Sequence, residues 1–84
     1  MIRVLFFARI REELDCPGLD IDWNDDIADL DSLQEQLFAR GGKRWRDILS
    51  QDNIIRSINQ SVIEGNPSLE DGDEVAFFPP VTGG

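Results

Sequence analysis

The chain of 84 residues has no histidine, a single cysteine (Cys16) and only eight basic residues against seventeen acidic ones. Without histidine there is no Ser-His or Cys-His dyad and no histidine-containing zinc site. No metal site is expected. A lone cysteine closes no internal disulfide, which suits a reducing cytosol. Cys16 stands beside Pro17-Gly18 in an expected turn and has no histidine to activate it, so it is read as incidental rather than as a nucleophile. The formal charge of −9 repels phosphate backbones and argues against a nucleic-acid partner. It favours solubility and encounter with a basic protein surface. A long apolar run is also missing. The opening Met1-Ile2-Arg3-Val4-Leu5-Phe6-Phe7 is cut short by Arg9 and Arg11, leaving no signal-peptide core and no membrane span. A soluble cytoplasmic protein with no membrane partner is expected.

What is present reads as one small domain, residues 1–84, large enough for a single core. Met1 to Ala8 is rich in β-formers. Ile2, Val4 and Phe6 share one face and Arg3, Leu5 and Phe7 the other, and since both carry apolar residues a central, mostly covered strand is expected. Arg9 to Leu14 allows one or two helical turns before the Cys16-Pro17-Gly18 break. Leu19-Asp20-Ile21-Asp22-Trp23 alternates strictly, as a half-exposed strand paired with the first. Asp26 is the expected N-cap of the main helix, whose apolar positions Ile27, Leu30, Leu33, Leu37 and Phe38 recur at helical spacing. Gly41-Gly42 closes that helix, and Lys43 to Leu49 adds a short helical turn in which Trp45, Ile48 and Leu49 pack. Ile54 to Asn59 reads as a strand of unfixed register, because Ile54, Ile55 and Ile58 do not share a face. Val62-Ile63 forms a short return strand, and Asp71-Gly72-Asp73 is a turn feeding the last strand, Glu74 to Phe78.

The order β-β-α-β-(β)-β predicts an α+β fold, a sheet of four or five strands with one main helix across one face. The opposite face is left open. With Val75 and Phe77 inward, Phe78 points outward, and Leu5, Phe7 and Phe78 are expected to form an open apolar patch of the kind that marks a protein interface.

Beyond Phe78 the chain reads Pro79-Pro80-Val81-Thr82-Gly83-Gly84. The prolines fix their own φ and bias the path toward an extended tail, residues 79–84. Two glycines without Cβ make a thin tip able to pass a narrow opening. The reactive group expected here is therefore the main-chain carboxylate of Gly84, and no catalytic side chain is needed.

The stretch Asp71-Gly72-Asp73-Glu74-Val75-Ala76-Phe77-Phe78-Pro79-Pro80-Val81-Thr82-Gly83-Gly84 closely resembles the C-terminal signature of the small subunits of molybdopterin synthase, a family of ubiquitin-like β-grasp sulfur carriers. Ile58-Asn59-Gln60, the capped helix after Asp26 and Trp45-Arg46-Asp47 after Gly-Gly also match. The likeness follows the whole chain in element order and is specific at the residue level from Leu69 to Gly84. It implies a mixed β-grasp sheet and a carboxylate at Gly84 that a ubiquitin-activating-like adenylyltransferase adenylates with ATP. A sulfur donor protein then converts it to a thiocarboxylate. The tail is implied to enter the large subunit of molybdopterin synthase, where the active site lies and where sulfur passes to cyclic pyranopterin monophosphate to build the molybdopterin dithiolene. On this likeness Phe7, Phe78, Pro79 and Pro80 seat the root of the tail, Val81 and Thr82 line a tunnel, and Gly83 gives clearance. No cofactor is bound by this subunit, ATP being used by the activating enzyme.

Three other readings stay open. A carrier of another sulfur pathway, such as the thiamine-thiazole type, also ends in Gly-Gly but lacks the Phe-Phe-Pro-Pro approach. A ubiquitin-like protein modifier needs the same activated C-terminus. A β-grasp interaction module would carry an inert tail.

Overall fold

The computed structural model of the chain describes residues 1–80. The elements run β1 (Ile2–Phe6), α1 (Ala8–Leu14), β2 (Gly18–Ile21), a 3-10 turn at Asp25–Ile27, α2 (Leu30–Leu49), β3 (Ile55–Ile58), β4 (Ser61–Ile63) and β5 (Glu74–Phe78). They build a five-stranded sheet in the order β2-β1-β5-β3-β4. The chain's two most apolar strands, β1 and β5, lie side by side and parallel, with Val4 opposite Val75 and Phe6 opposite Phe77. The other pairings are antiparallel. A parallel pair needs a crossover, and here almost the whole chain, both helices included, supplies it.

Period-2 alternation sends Ile2, Val4, Phe6, Val75 and Phe77 to one face, where all are buried. Ile10 and Leu14 of α1 and Leu30, Leu33, Leu37 and Phe38 of α2 close over them in one continuous core. Both helices thus cover the same face. β1 lies inside the sheet between β2 and β5, as expected, but its full cover is one-sided: Arg3 is exposed and Leu5 only half-buried. Leu5 owes its partial cover to its cross-strand neighbours Gly18 and Ala76, not to a second layer. The register of β3, unfixed by sequence, sets Ile58 opposite Val75 on the core side and Ile55 opposite Phe78 on the open side.

The N-cap also moves. Asp29, not Asp26, caps α2, its carboxylate accepting the Ser32 N–H at 2.8 Å. Asp26 lies inside the preceding 3-10 turn, which Asn24 caps by accepting the Asp26 N–H at 2.8 Å. Bonds from the Ser32 backbone and side chain, with a further one from Asn66, hold the Asp29 carboxyl below its ordinary value of 3.8. A lowered folded pKa contributes stability that is complete above the ordinary value and disappears as pH falls through the folded one. Asp29→Asn is therefore expected to unfold at lower denaturant than the parent at neutral pH. The gap should close below pH 3.8, read from urea midpoints across pH.

Gly42, at φ 73° and ψ −159°, divides α2 into two helical segments. Gln34 Nε2 donates to Leu49 O at 2.7 Å, although a straight helix would separate these residues by about 22 Å along its axis. The second segment thus folds back along the first, as the expected break at Gly41-Gly42 requires. Gly41 is equally constrained, because a Cβ there would fall within the Trp45 indole. The Trp45 and Phe6 rings meet nearly perpendicular, with centroids 5.5 Å apart, confirming a packing role. Among the described residues no helix is long and apolar enough to cross a membrane.

Candidate functional site

The open face of the sheet is built in rows by the strand register. Arg3 of β1 stands beside Glu74 of β5, and Leu5 beside Ala76, which in turn adjoins Ser57 of β3. Ser57 pairs with Val62 of β4. One row further, Phe7 extends the β1 ladder past its assigned end, its N–H donating to Phe77 O at 3.1 Å. Its extended backbone (φ −123°, ψ 154°) then starts α1. This holds the Phe7 ring over Phe78, with centroids 4.7 Å apart and planes 3° from parallel. Phe7 is 38% exposed and Phe78 half-buried, so the stacked pair forms an apolar step on the surface.

Val62, 71% exposed, completes this surface. With Phe7, Phe78, Ala76, Ser57, Gln60 and Glu74 it lines a shallow hollow of about 200 Å³. The expected patch of Leu5, Phe7 and Phe78 is therefore adjusted: Phe7 and Phe78 meet, whereas Leu5 lies a row away and joins them only through Ala76. Val62 was missed. A three-residue strand carries too short an alternation to mark an outward valine, although its place opposite Ser57 follows from the hairpin register.

The turn behind the hollow is rigidly tied. Asn59 (φ 50°) and Gln60 (φ 72°) are the two left-handed residues of a tight hairpin between β3 and β4. The Asn59 side chain donates to Asp73 Oδ1 and accepts from the Glu74 N–H, both at 2.9 Å. Asp73 accepts the Glu70 N–H with its other oxygen at 2.8 Å. Edge strand β4 is thereby fixed to the start of β5, and Val62 to the sheet that carries Phe78. Sequence reading had singled out Ile58-Asn59-Gln60 and the Asp71-Gly72-Asp73 turn separately, and the fold joins them.

Pro79 and Pro80 leave β5 half-buried beside this face. Val81, Thr82, Gly83 and Gly84, the remaining predicted site residues, lie outside the described residues. The Cys16 thiol is half-buried and makes a weak contact with Gly18 O at 3.4 Å, within its own turn.

Phe78 has one ring face on Phe7 and little of the core. Phe78→Ala is therefore expected to cost only about 1 kcal/mol of stability, the scale of one aromatic pair. Partner affinity should fall by tenfold or more, roughly the effect of removing a central aromatic anchor. Thermal melts beside titration calorimetry check both halves. A large stability loss with unchanged binding would move Phe78 into the core.

The geometry has counterparts among known proteins. The model of the ThiS family matches residues 4–84. A molybdopterin synthase sulfur carrier subunit of Haemophilus influenzae is 38% identical over 84 residues, covering all of both chains. Among solved structures, the complex of subunits 1 and 2 of molybdopterin-converting factor from Helicobacter pylori contains a chain 29% identical to this one. That match has a TM-score of 0.66 and covers 99% of this chain and 97% of the other. The small archaeal modifier protein 1 of Methanosarcina acetivorans is 25% identical, with a TM-score of 0.71 and coverage of 99% and 95%. With its ubiquitin-like β-grasp fold and these relatives, the chain belongs to the ThiS family, together with the molybdopterin synthase sulfur carrier subunits.

Proposed function

We propose that this chain is the sulfur-carrying subunit of a molybdopterin synthase and that its working group is the Gly84 carboxylate. A carboxylate is a poor electrophile because it already bears negative charge. Attack of the carboxylate on ATP, within an adenylyltransferase of the ubiquitin-activating type, gives a glycyl adenylate and releases pyrophosphate. Sulfide delivered by a donor protein displaces AMP and leaves a thiocarboxylate. The tail then enters the large subunit, where the thiocarboxylate sulfur bonds to a side-chain carbon of cyclic pyranopterin monophosphate as an oxygen substituent leaves. Water then cleaves the acyl–sulfur bond, leaving the sulfur on the pterin and returning the Gly84 carboxylate. The active site belongs to the large subunit, and this chain holds no cofactor of its own. A reaction that draws on ATP and reduced sulfur fits a cytoplasmic protein.

The observation that carries the reading is the Phe7–Phe78 stack, an exposed aromatic step at the point where β5 gives way to Pro79 and Pro80. Such a step docks the body while the tail, free of bulky side chains beyond Val81 and Thr82, reaches into a partner. Captured C-termini and strand-like tails are recurrent modes of recognition. The likeness to sulfur carrier subunits, and to a chain in the solved complex of subunits 1 and 2 of molybdopterin-converting factor, supports the pathway and the partner.

A direct test is ATP–pyrophosphate exchange by the activating enzyme from the same source. The chain should stimulate exchange, and absence of exchange with a competent enzyme would end the reading. The likeness to an archaeal modifier protein keeps conjugation in view. A modifier would give isopeptide-linked products in cell extract, whereas a carrier gives a thiocarboxylated pool without them.

A further inference from the structure

The eight basic residues of this acidic chain are unevenly placed, for Arg40, Lys43, Arg44 and Arg46 fall within seven positions. These positions form the reversal of α2 around Gly42. Arg46 is engaged, its guanidinium lying 5.3 Å from the Phe38 ring centre. Lys43 is 90% exposed and has Asp47 only at 4.0 Å. Arg40 and Arg44 are exposed and, among the described residues, take part in no ion pair.

Their location gives the cluster meaning. The second segment of α2 lies along the end of the sheet where β5 finishes. Near its start Trp45 rests on Phe6, the Cα partner of Phe77. Beyond its end the chain enters β3 at Ile55, the Cα partner of Phe78. The cations therefore sit on the helical layer at the same end of the molecule as Pro79 and Pro80, with the Phe7–Phe78 step on the opposite face of the sheet.

We propose that Arg40, Lys43 and Arg44 form a second docking element that meets an acidic surface of the large subunit beside the opening that takes the tail. The proposal rests on the carrier reading above. A partner that closes on the tail from this end must face that corner, and carboxylates opposite it would orient the encounter. Exposed charges at an interface rim act chiefly on the association rate and its salt dependence.

The test compares association of the large subunit from the same source with three forms of the full chain. Arg40→Gln/Arg44→Gln should slow association about tenfold and flatten its dependence on ionic strength. Arg40→Lys/Arg44→Lys keeps both positive charges at the corner, and it should leave the rate within about twofold. Phe78→Ala should instead speed dissociation. Equal slowing by the lysine and glutamine variants, or wild-type association of Arg40→Gln/Arg44→Gln, would overturn the second docking element. If Phe78→Ala also bound normally, the carrier docking itself would fall.

Discussion

Removal of Gly84 is expected to abolish conversion of cyclic pyranopterin monophosphate in a synthase reconstituted from the large subunit and supplied with the activating enzyme, ATP and sulfide, while the body still folds and docks. In the proposed reaction the bond made to AMP, and later to sulfur, is at the terminal carbonyl carbon. Deleting one residue withdraws that carbon by about 3.5 Å. A displacement of this size removes the attacking sulfur from bonding distance, and near-attack geometry tolerates far less. The described core does not depend on Gly84, since Phe6, Phe77, Leu33 and Leu37 are buried among themselves. The melting temperature should therefore be unchanged. The Phe7–Phe78 step also remains, so the shortened chain should compete with the full one for the large subunit. Inhibition without turnover is the expected signature. Sustained product formation would mean that the terminal carboxylate is not the working group.

Phe77→Ala is expected to destabilise the domain by about 3–5 kcal/mol, the range for truncating a buried phenylalanine. Phe77 has no exposed surface and lies on β5, the middle strand of five. Its ring packs against Phe6 at 5.8 Å between centroids, and Phe6 in turn makes a T-shaped contact with Trp45. The truncation would open a cavity where the sheet meets the reversal of α2. Single domains of this size are stable by roughly 5–15 kcal/mol, so the variant would sit near its unfolding threshold. Urea unfolding checks this, and a loss below about 1 kcal/mol would contradict the packing. The contrast with Phe78→Ala is informative, because adjacent residues of one strand point to opposite faces.

Much of this arrangement was legible in the sequence. The alternation of Ile2, Val4 and Phe6 and of Val75 and Phe77 marks one buried face, and the outward Phe78 follows from the same period. Gly41-Gly42 announced the break in the helix, and the Asp71-Gly72-Asp73 turn announced β5. The N-cap was misplaced because Asn24, Asp25, Asp26 and Asp29 all suit such a position. Choosing Asp29 depends on distant contacts, with Leu30 N–H bonded to Pro67 O and Asp31 N–H to Asn66. The fold-back of α2 likewise rests on a Gln34–Leu49 bond that no local pattern encodes. Leu5 was assigned to the aromatic patch because alternation gives its face but not its row. The row is set by pairing, which placed Val62 across Ser57 and brought Phe7 over Phe78.

The proposed role stands most directly on the chemical state of the C-terminus in the cell. Intact-mass measurement of the protein purified from its native source, with mapping of the C-terminal peptide, tests it. A fraction of molecules should carry one sulfur in place of one oxygen, localised to Gly84, and that fraction should vanish when the activating enzyme is absent. An oxygen-only C-terminus in every molecule, unchanged after incubation with the activating enzyme, ATP and sulfide, would contradict a sulfur carrier and leave an interaction module with an inert tail.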